Sequence, residues 1–148
     1  MKHFFKYIGL FAICTLLFNS CATSSAVIAS GVNILNYPYV VFGETRVGEN
    51  SLSDIMLMTE NEISAVLYVV SEKQAVDYVQ KGELVLTPDI NIERQSDAYG
   101  GGTTYITINF YDFVSNRSVA VIKSSGMGID GYFAIDAIRK KLHQVFLR

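Results

Sequence analysis

The chain has few of the side chains from which catalytic and metal sites are usually built. It contains two histidines and two cysteines among 148 residues. His3 and Cys14 lie in an amino-terminal segment that we expect to be removed, which leaves His143 and Cys21. One histidine and one cysteine do not make a zinc site of the common ligand types, a Ser/His/Asp arrangement or an intramolecular disulfide. The sequence therefore predicts no enzyme, no metal site and no cofactor.

The chain also lacks an excess of positive charge. Fourteen acidic side chains stand against twelve basic ones, and this balance is not that of a nucleic-acid-binding protein. The basic residues are nevertheless uneven, since Arg139, Lys140, Lys141 and Arg148 all fall in the last ten positions. Two interpretations remain open: the solvated face of a helix, or an alternative docking strip formed by Arg139, Lys140 and Lys141.

No apolar run at the start of the chain is long enough to cross a bilayer. The run from Tyr7 to Phe18 follows Lys2 and Lys6 and spans about a dozen residues, whereas a membrane-spanning helix needs roughly 20. A charged start, a short apolar core and a small residue at position 20 predict a signal peptide over residues 1–20.

The segment Phe18-Asn19-Ser20-Cys21 resembles a bacterial lipobox. The resemblance implies that Cys21 is linked to diacylglycerol, becomes the first residue after cleavage and is then acylated on its amino group, for example with palmitate. Several acyl chains hold a protein on a bilayer far more firmly than one. Ala22 in place of aspartate resembles a signal for the outer membrane, so we expect a lipid-anchored protein facing the periplasm. An ordinary secretory signal is the alternative.

We expect residues 21–35 to be the acylated cysteine and a tether, because Ala22 to about Ser30 is rich in small residues, and residues 36–148 to form one periplasmic domain. Tyr37–Phe42 has the composition of a strand, the first of the fold. A capping pattern at Ser51–Asp54 and three- and four-residue apolar spacing predict a helix to about Ala65. Val66–Val70 predicts a buried strand.

The middle of the chain allows two predictions. Ser71 could cap a helix that runs to Lys81, or Asp77–Leu86 could be a strand with a bulge at Gly82. We favour a short helical turn at Glu72–Val76 followed by the strand. Pro88 then interrupts or bends the chain before alternation resumes at Ile90–Glu93.

The clearest pattern is a β-hairpin. Thr103–Phe113 alternates strictly, a polar turn follows, and Ser118–Lys123 returns as the next strand. From Gly131 onward an apolar stripe at helical spacing predicts a closing helix. Together these elements predict an α+β two-layer sandwich, a mostly antiparallel sheet with two main helices on one face.

Tyrosines on the hairpin offer a candidate binding face. Tyr105 and Tyr111 lie on the strand face opposite Ile106, Ile108 and Phe110, so they should line the open side if helices cover the aliphatic side. Tyrosine is frequent at interfaces because it joins apolar area to a polar tip. Cross-strand pairing that only stabilises a wet sheet face is the alternative.

Gly126-Met127-Gly128-Ile129-Asp130-Gly131 fits the G-x-G-x-x-G pattern of dinucleotide sites. The pattern lies between a predicted strand and a predicted helix, but that strand belongs to an antiparallel hairpin. A dinucleotide site needs a parallel βαβ unit. We therefore expect these glycines to form a structural turn.

The order of a strand at Tyr37–Phe42, a helix, a short strand at Leu67–Val70, the segment Val76–Val79 and the hairpin strand Ile106–Asp112 resembles small bacterial lipoproteins of unknown function. More distantly it resembles the amino-terminal domain of the Tol-Pal translocation protein and the periplasmic domains of curli-secretion and penicillin-binding-protein-activator lipoproteins. The resemblance implies an envelope module that contacts an unidentified envelope protein, with a possible oligomer. A small-molecule or polysaccharide binder using the aromatic sheet face is the second hypothesis.

The lipobox predicts the result of Cys21→Ala. Because this change removes the acylated thiol, the domain should move to the soluble envelope fraction and lose labelling by a fatty-acid probe. Cell fractionation and metabolic labelling measure both effects. Membrane partition and labelling that stay at wild-type levels would contradict the lipoprotein prediction.

Overall fold

The computed structural model describes residues 22–43, 50–98, 101–128 and 130–147. The predicted signal peptide and Cys21 lie outside these residues. The helices of these residues all lack the length and the apolar character that a bilayer-spanning helix needs.

Within the described residues, six strands form one sheet, and three helices pack against it. The strands are β1 (Ala22–Ile28), β2 (Tyr39–Val40), β3 (Tyr68–Val69), β4 (Val85–Ser96), β5 (Gly102–Asp112) and β6 (Ser118–Met127). The helices are α1 (Asn50–Ser64), α2 (Glu72–Gln80) and α3 (Tyr132–Phe146), with a short 3-10 turn at Ile34–Asn36. The strand order is β1-β6-β5-β4-β2-β3. Strands β1, β6, β5 and β4 are antiparallel neighbours, whereas β2 is parallel to both β4 and β3.

Strand β1 occupies the segment for which we expected a tether. It pairs antiparallel with β6 from Ala22 opposite Gly126 to Ile28 opposite Ala120. Small residues that suit a flexible linker also suit an edge strand that packs closely under a helix, and Ala26 contacts the main core. The tether prediction is therefore wrong for Ala22–Ile28, and the first strand of the fold is β1 rather than the segment at Tyr37–Phe42.

The predicted hairpin is confirmed as β5 and β6, and β4 extends it to a three-stranded meander. Ile108 of β5 lies opposite Ile90 on one side and Ile122 on the other. The turn between β5 and β6 contains Asn116 with a left-handed φ of 51°. Asn tolerates this conformation better than most residues.

Helix α2 corrects our preference for a strand at Asp77–Leu86. The hydroxyl of Ser71 accepts the backbone N–H of Gln74, and the Gln74 side chain accepts the backbone N–H of Ser71. This reciprocal capping box satisfies amide groups that a helix start otherwise leaves unpaired. Gly82 follows the helix end with a φ of 85° and is no bulge within a strand. The helix ends at Gln80, so the alternative of a helix capped by Ser71 is the correct one.

Parallel pairing of β2 with β3 and β4 explains why the fold needs both α1 and α2. Parallel strands are joined by crossover segments, usually helical. Helix α1 connects β2 to β3, and α2 connects β3 to β4. Ile63 of α1 is buried in the main core, whereas Ala75 of α2 is buried with Val41 and Val85 in a second, smaller cluster. Val85 and Leu86 are consecutive residues of β4, so their side chains point to opposite faces of the sheet. Leu86 belongs to the main core and Val85 to the smaller cluster, so the two helices cover opposite faces.

Two further predictions about strands need correction. Strand β3 is exposed at the sheet edge, with Tyr68 at 74% of its full accessibility, so the run Val66–Val70 does not form a buried strand. Strand β4 continues through Pro88 without interruption. Beyond Leu86, no described strand pairs with the outer side of β4, and a proline is tolerated on such an edge.

The main core lies between the sheet and the two longer helices. Ile106, Ile108 and Phe110 are fully buried under α1 and α3, and the ring of Phe110 meets that of Phe146 edge-on at 5.4 Å. The predicted α1 stripe is confirmed, with Ile55, Thr59 and Ile63 buried. The side chains of Asn50 and Ser51 lie outside the described residues. The structure is thus the predicted α+β sandwich with two main helices on one face, and α2 adds a smaller layer on the other.

The face assignment makes Ile108→Ala destabilising. Removing this buried side chain from the middle of β5 should lower the free energy of unfolding by about 2 to 5 kcal/mol. Thr107→Ala, on the opposite face of the same strand, is the matched control and should cost less than about 1 kcal/mol. Denaturant unfolding measures both. Equal losses would mean that the two faces of β5 are wrongly assigned.

Asp112 ties the end of β5 to two other parts of the fold. Its Oδ1 accepts the backbone N–H and the hydroxyl of Ser115, each at 2.7 Å, and its Oδ2 accepts the Tyr37 hydroxyl at 3.2 Å. Partial burial by itself would raise the pKa of Asp112. The hydrogen bonds from Ser115, Tyr37 and the Val114 N–H together outweigh it, so the pKa lies below its ordinary value of 3.8.

A carboxylate with a lowered pKa stabilises the fold above its unfolded pKa, and this contribution disappears as the pH falls through the folded value. Asp112→Ala should therefore lower the free energy of unfolding by about 1 to 3 kcal/mol at neutral pH. The difference from wild type should shrink as the pH drops below 3.8. Asp89→Ala, at an exposed carboxylate of β4, is the control. Urea unfolding across the pH range tests this, and a difference that is independent of pH would contradict it.

Candidate functional site

The open face of the sheet carries mostly polar side chains. Strand register aligns them in rows that run across β1, β6, β5 and β4. One row consists of Thr23, Ser125, Tyr105 and Glu93, and the next consists of Ser25, Lys123, Thr107 and Asn91. The Thr23 and Ser125 hydroxyls are 2.8 Å apart, so β1 and β6 are also joined by a side-chain hydrogen bond.

These rows line a shallow depression of about 550 Å³. Its lining includes hydroxyls, amides, one carboxylate and one ammonium group, supplied by Thr23, Ser25, Asn91, Glu93, Gln95, Tyr105, Thr107, Lys123 and Ser125. Among the described residues, Lys123 has no ion-pair partner. The depression can therefore offer a ligand hydrogen bonds, the positive charge of Lys123 and the aromatic ring of Tyr105.

The two tyrosines of the predicted binding face lie on the expected face but not in one site. Six positions along a strand separate Tyr105 from Tyr111, which corresponds to about 20 Å. Tyr105 lies in the depression, and its hydroxyl is 3.5 Å from Oε1 of Gln95. Tyr111 lies beyond the irregularity at Phe110/Tyr111, near the turn between β5 and β6. A compact ligand can reach only one of them.

A second group of tyrosines was not predicted from the sequence. The rings of Tyr39 and Tyr78 stack at 4.1 Å, Tyr68 lies 6.3 Å from Tyr39, and Nζ of Lys81 lies 5.7 Å from the Tyr78 ring. Burial, followed by the neighbouring Tyr78 and Glu83, raises the pKa of Tyr39. The group joins β2, β3 and α2, so it stabilises the smaller layer and exposes one ring, that of Tyr68.

The alternative docking strip lies on the outer surface of α3, on the opposite side of the molecule from the depression. Arg139 and Lys140 are exposed and both pair with Asp136; Nζ of Lys140 is 2.6 Å from its Oδ2. The hydrogen bond from Lys140 is the main reason that the pKa of Asp136 is lowered. Lys141 donates to Oε1 of Gln144 at 2.8 Å. Because Asp136 neutralises part of the strip, its charge is smaller than the sequence suggests.

The glycine motif lies where β6 ends and α3 begins, and it allows the two elements to pack closely. Gly126 is inside β6, and a Cβ there would stand 2.4 Å from the Ala134 nitrogen. Gly131 has a φ of 73° immediately before α3, and a Cβ there would stand 2.9 Å from Cδ1 of Ile55. Ile129 lies outside the described residues. Since both described neighbours of β6 are antiparallel, the motif does not lie in the parallel βαβ unit of a dinucleotide site.

Two exposed edges of the sheet, that of β1 and that of β4 beyond Leu86, differ in composition. Beyond Leu86, β4 presents an edge with Pro88 and the charged residues Asp89, Glu93 and Arg94. Strand β1 presents an edge over the sequence ATSSAVI, which has no charge and no proline. Charges and proline limit the pairing of an edge with other chains, so β1 is the less protected of these two edges. The sequence did not predict this edge, and the β-branched residues Thr23, Val27 and Ile28 were the only signal for a strand.

The described residues do not bring together a set of groups that points to a reaction. They contain no cluster of three or more His, Cys, Asp or Glu side chains that could hold a metal ion. His143 is exposed near the end of α3, which covers the face of the sheet opposite the depression. The arrangement favours recognition through hydrogen bonds and strand edges.

Comparisons with known proteins identify the fold. No protein-family model and no curated protein matches this chain. A variant PelC dodecamer from Paraburkholderia phytofirmans matches with 14% identity and a TM-score of 0.51, over 85% of this chain and 100% of that one. A PelC dodecamer from the same organism matches with 15% identity and a TM-score of 0.49, over 85% and 99%. A PDZ domain protein from Parabacteroides distasonis matches with 9% identity and a TM-score of 0.40, over 92% of this chain and 38% of that one. At 14% identity, the first match shows a shared fold alone.

Proposed function

We propose that this protein is an envelope lipoprotein, anchored in the outer membrane through acylated Cys21, whose periplasmic domain is a protein-interaction and assembly module. The observation that carries the proposal is the uncharged edge of β1. It offers a row of backbone N–H and C=O groups that no described strand pairs, and pairing with another strand would satisfy them.

The partner that this geometry favours first is a second copy of the chain. The outer edge of β4 lies on the opposite side of the sheet from β1, so contact between the two edges is head-to-tail. The charges on the β4 edge oppose pairing with a second charged edge but not with the uncharged β1. Head-to-tail contacts close into rings when the rotation between subunits permits. The PelC protein that shares this fold is a dodecamer, which supports an assembly of this kind. A different envelope protein that adds a strand to β1 is the other partner consistent with the same edge.

A second function, binding of a small polar molecule or a polysaccharide, is favoured by the depression on the open face. Sugars are bound through hydroxyl and amide hydrogen bonds together with an aromatic surface, and Lys123, Thr107, Asn91 and Tyr105 supply these groups. Tyr111 is too distant to contribute to the same small site. The two functions are compatible, since the edge of β1 and the face of the sheet are different surfaces.

The assembly proposal predicts where cross-links form. If Cys14 leaves with the signal and Cys21 is acylated, a cysteine introduced at Ser25 of β1 is the only free thiol of the mature chain. Combined with a second cysteine at Asn91 of β4, it should give a ladder of covalent multimers when intact cells are treated with a short bis-maleimide. Ser25→Cys with Lys73→Cys, on α2, is the matched control and should not give the ladder.

Other outcomes separate the alternatives. A single discrete adduct with another envelope protein, formed by Ser25→Cys alone, would favour a hetero-complex. Absence of any adduct, together with capture of a partner that is lost on neutralising Arg139, Lys140 and Lys141, would reject the β1 edge in favour of the α3 strip. Retention on peptidoglycan or glycan that is lost in Lys123→Ala and Tyr105→Ala, but not in Tyr111→Ala, would support the binding function.

A further inference from the structure

We infer that the end of the sheet where β1 begins is a second membrane contact, through which Met127, Tyr132 and Phe133 enter the bilayer surface beside the lipid anchor. The inference rests on the proposed anchorage through Cys21. Strand β1 begins at Ala22, the next residue, and consecutive Cα atoms are about 3.8 Å apart. An acylated Cys21 therefore cannot be separated from this end of the sheet by a linker.

Three large apolar side chains are exposed at this same end. Met127, Tyr132 and Phe133 retain 60%, 54% and 45% of their full accessibility, and the rings of Tyr132 and Phe133 lie 6.0 Å apart. Met127 ends β6, and the other two begin α3. The adjacent exposed rings of Tyr132 and Phe133, with Met127 at the end of the neighbouring strand, form a candidate contact surface.

Close packing at Gly126 and Gly128 places these side chains next to the start of β1. Gly126 lies opposite Ala22 in the sheet, and a Cβ at Gly126 would stand 2.8 Å from Cβ of Phe133. A Cβ at Gly128 would stand 3.4 Å from Cδ2 of the same ring. At Gly126, only a residue without a side chain allows the first turn of α3 to approach β6 this closely. The glycines thus place the aromatic pair beside the first residue after the anchor.

The chemistry of the surface fits a bilayer interface. Tyrosine and phenylalanine are favoured where apolar contact meets a wet boundary, and tyrosine keeps its hydroxyl in the headgroup region. The charged side chains described at this end include Arg94, Asp97 and Asp130 and form no basic cluster. Burial of apolar area is therefore the driving force, and anionic lipid is not required.

The absence of tryptophan from the chain provides a direct test. Phe133→Trp in the full lipidated protein introduces a single fluorophore at the proposed contact. In vesicles of phosphatidylcholine, its emission should shift to the blue, and phosphatidylcholine brominated on the upper part of the acyl chain should remove most of its intensity. Met127→Trp reports on the same contact if Phe133→Trp disturbs the packing on the glycines. Tyr68→Trp, on β3 at the opposite end and side of the sheet, is the control and should remain unquenched.

Flotation with the vesicles and the mass of the mature protein distinguish the possible failures. Protein that floats and carries acyl chains, but whose tryptophan at 133 or 127 is not quenched, leaves the anchor in place and overturns the second contact. A blue-shifted but unquenched tryptophan means that protein covers the surface, and this also overturns it. Protein that neither floats nor carries acyl chains refutes the proposed anchorage, and the second contact is refuted with it.

Discussion

Burial of one face of β5 is the constraint on which the arrangement of the molecule depends. Ile106, Ile108 and Phe110 are removed from water by α1 and α3, and burial of this kind is the main favourable term in folding. Side chains alternate along a strand, so the same burial directs Tyr105, Thr107 and Asn109 to the other face. With both long helices on one side, the central strands keep a polar, open face. The depression around Lys123 is a consequence of where the core lies.

The pairing of β1 with β6 connects this core to the membrane in our proposal. An acylated residue joined to a flexible linker would let the domain take any orientation. A strand that begins at Ala22 and pairs over seven residues instead ties the anchor to one end of the sheet. The uncharged edge of β1 would then run away from the membrane, and its contacts with neighbouring copies would leave the bilayer contact unobstructed. Anchorage, membrane contact and assembly would all depend on one strand.

Gly126 and Gly131 serve close packing and a turn, which differs from the phosphate binding that their spacing suggests. Gly126 and Gly131 fit a phosphate-binding pattern by spacing, but the structure uses one for close approach of a helix to a strand and the other for a left-handed turn. Small residues allow backbones to approach each other as readily as they allow a ligand to approach. The surrounding topology separates the two uses: a phosphate site of that kind needs parallel strands, and β6 is antiparallel to both of its neighbours.

Local patterns in the sequence were sufficient for the elements whose stability is local. The alternation in β5, the turn at Asn116, the apolar stripe of α1 and the closing helix α3 all followed from periodicity and turn chemistry, and together they predicted the two-layer sandwich. The two faces of β5, and with them the side of the sheet on which Tyr105 lies, followed in the same way. The capping box of Ser71 and Gln74 was also visible, but the apolar residues after it suited a strand equally well.

Tertiary structure alone decided the features that depend on partners distant in the chain. Strand β1 gains its hydrogen bonds from β6, about one hundred residues later, and its small residues carry little strand preference of their own. The exposure of β3 and the tolerance of Pro88 in β4 depend on which strands form the edges, and no single segment contains that information. The depression likewise combines residues from four strands, so Thr23, Ser25 and Lys123 become neighbours only when the register is set. Sequence patterns determined the face of the sheet on which each side chain lies. Strand order determined which side chains meet, and only the tertiary structure fixes it, because the hydrogen bonds between strands join distant parts of the chain.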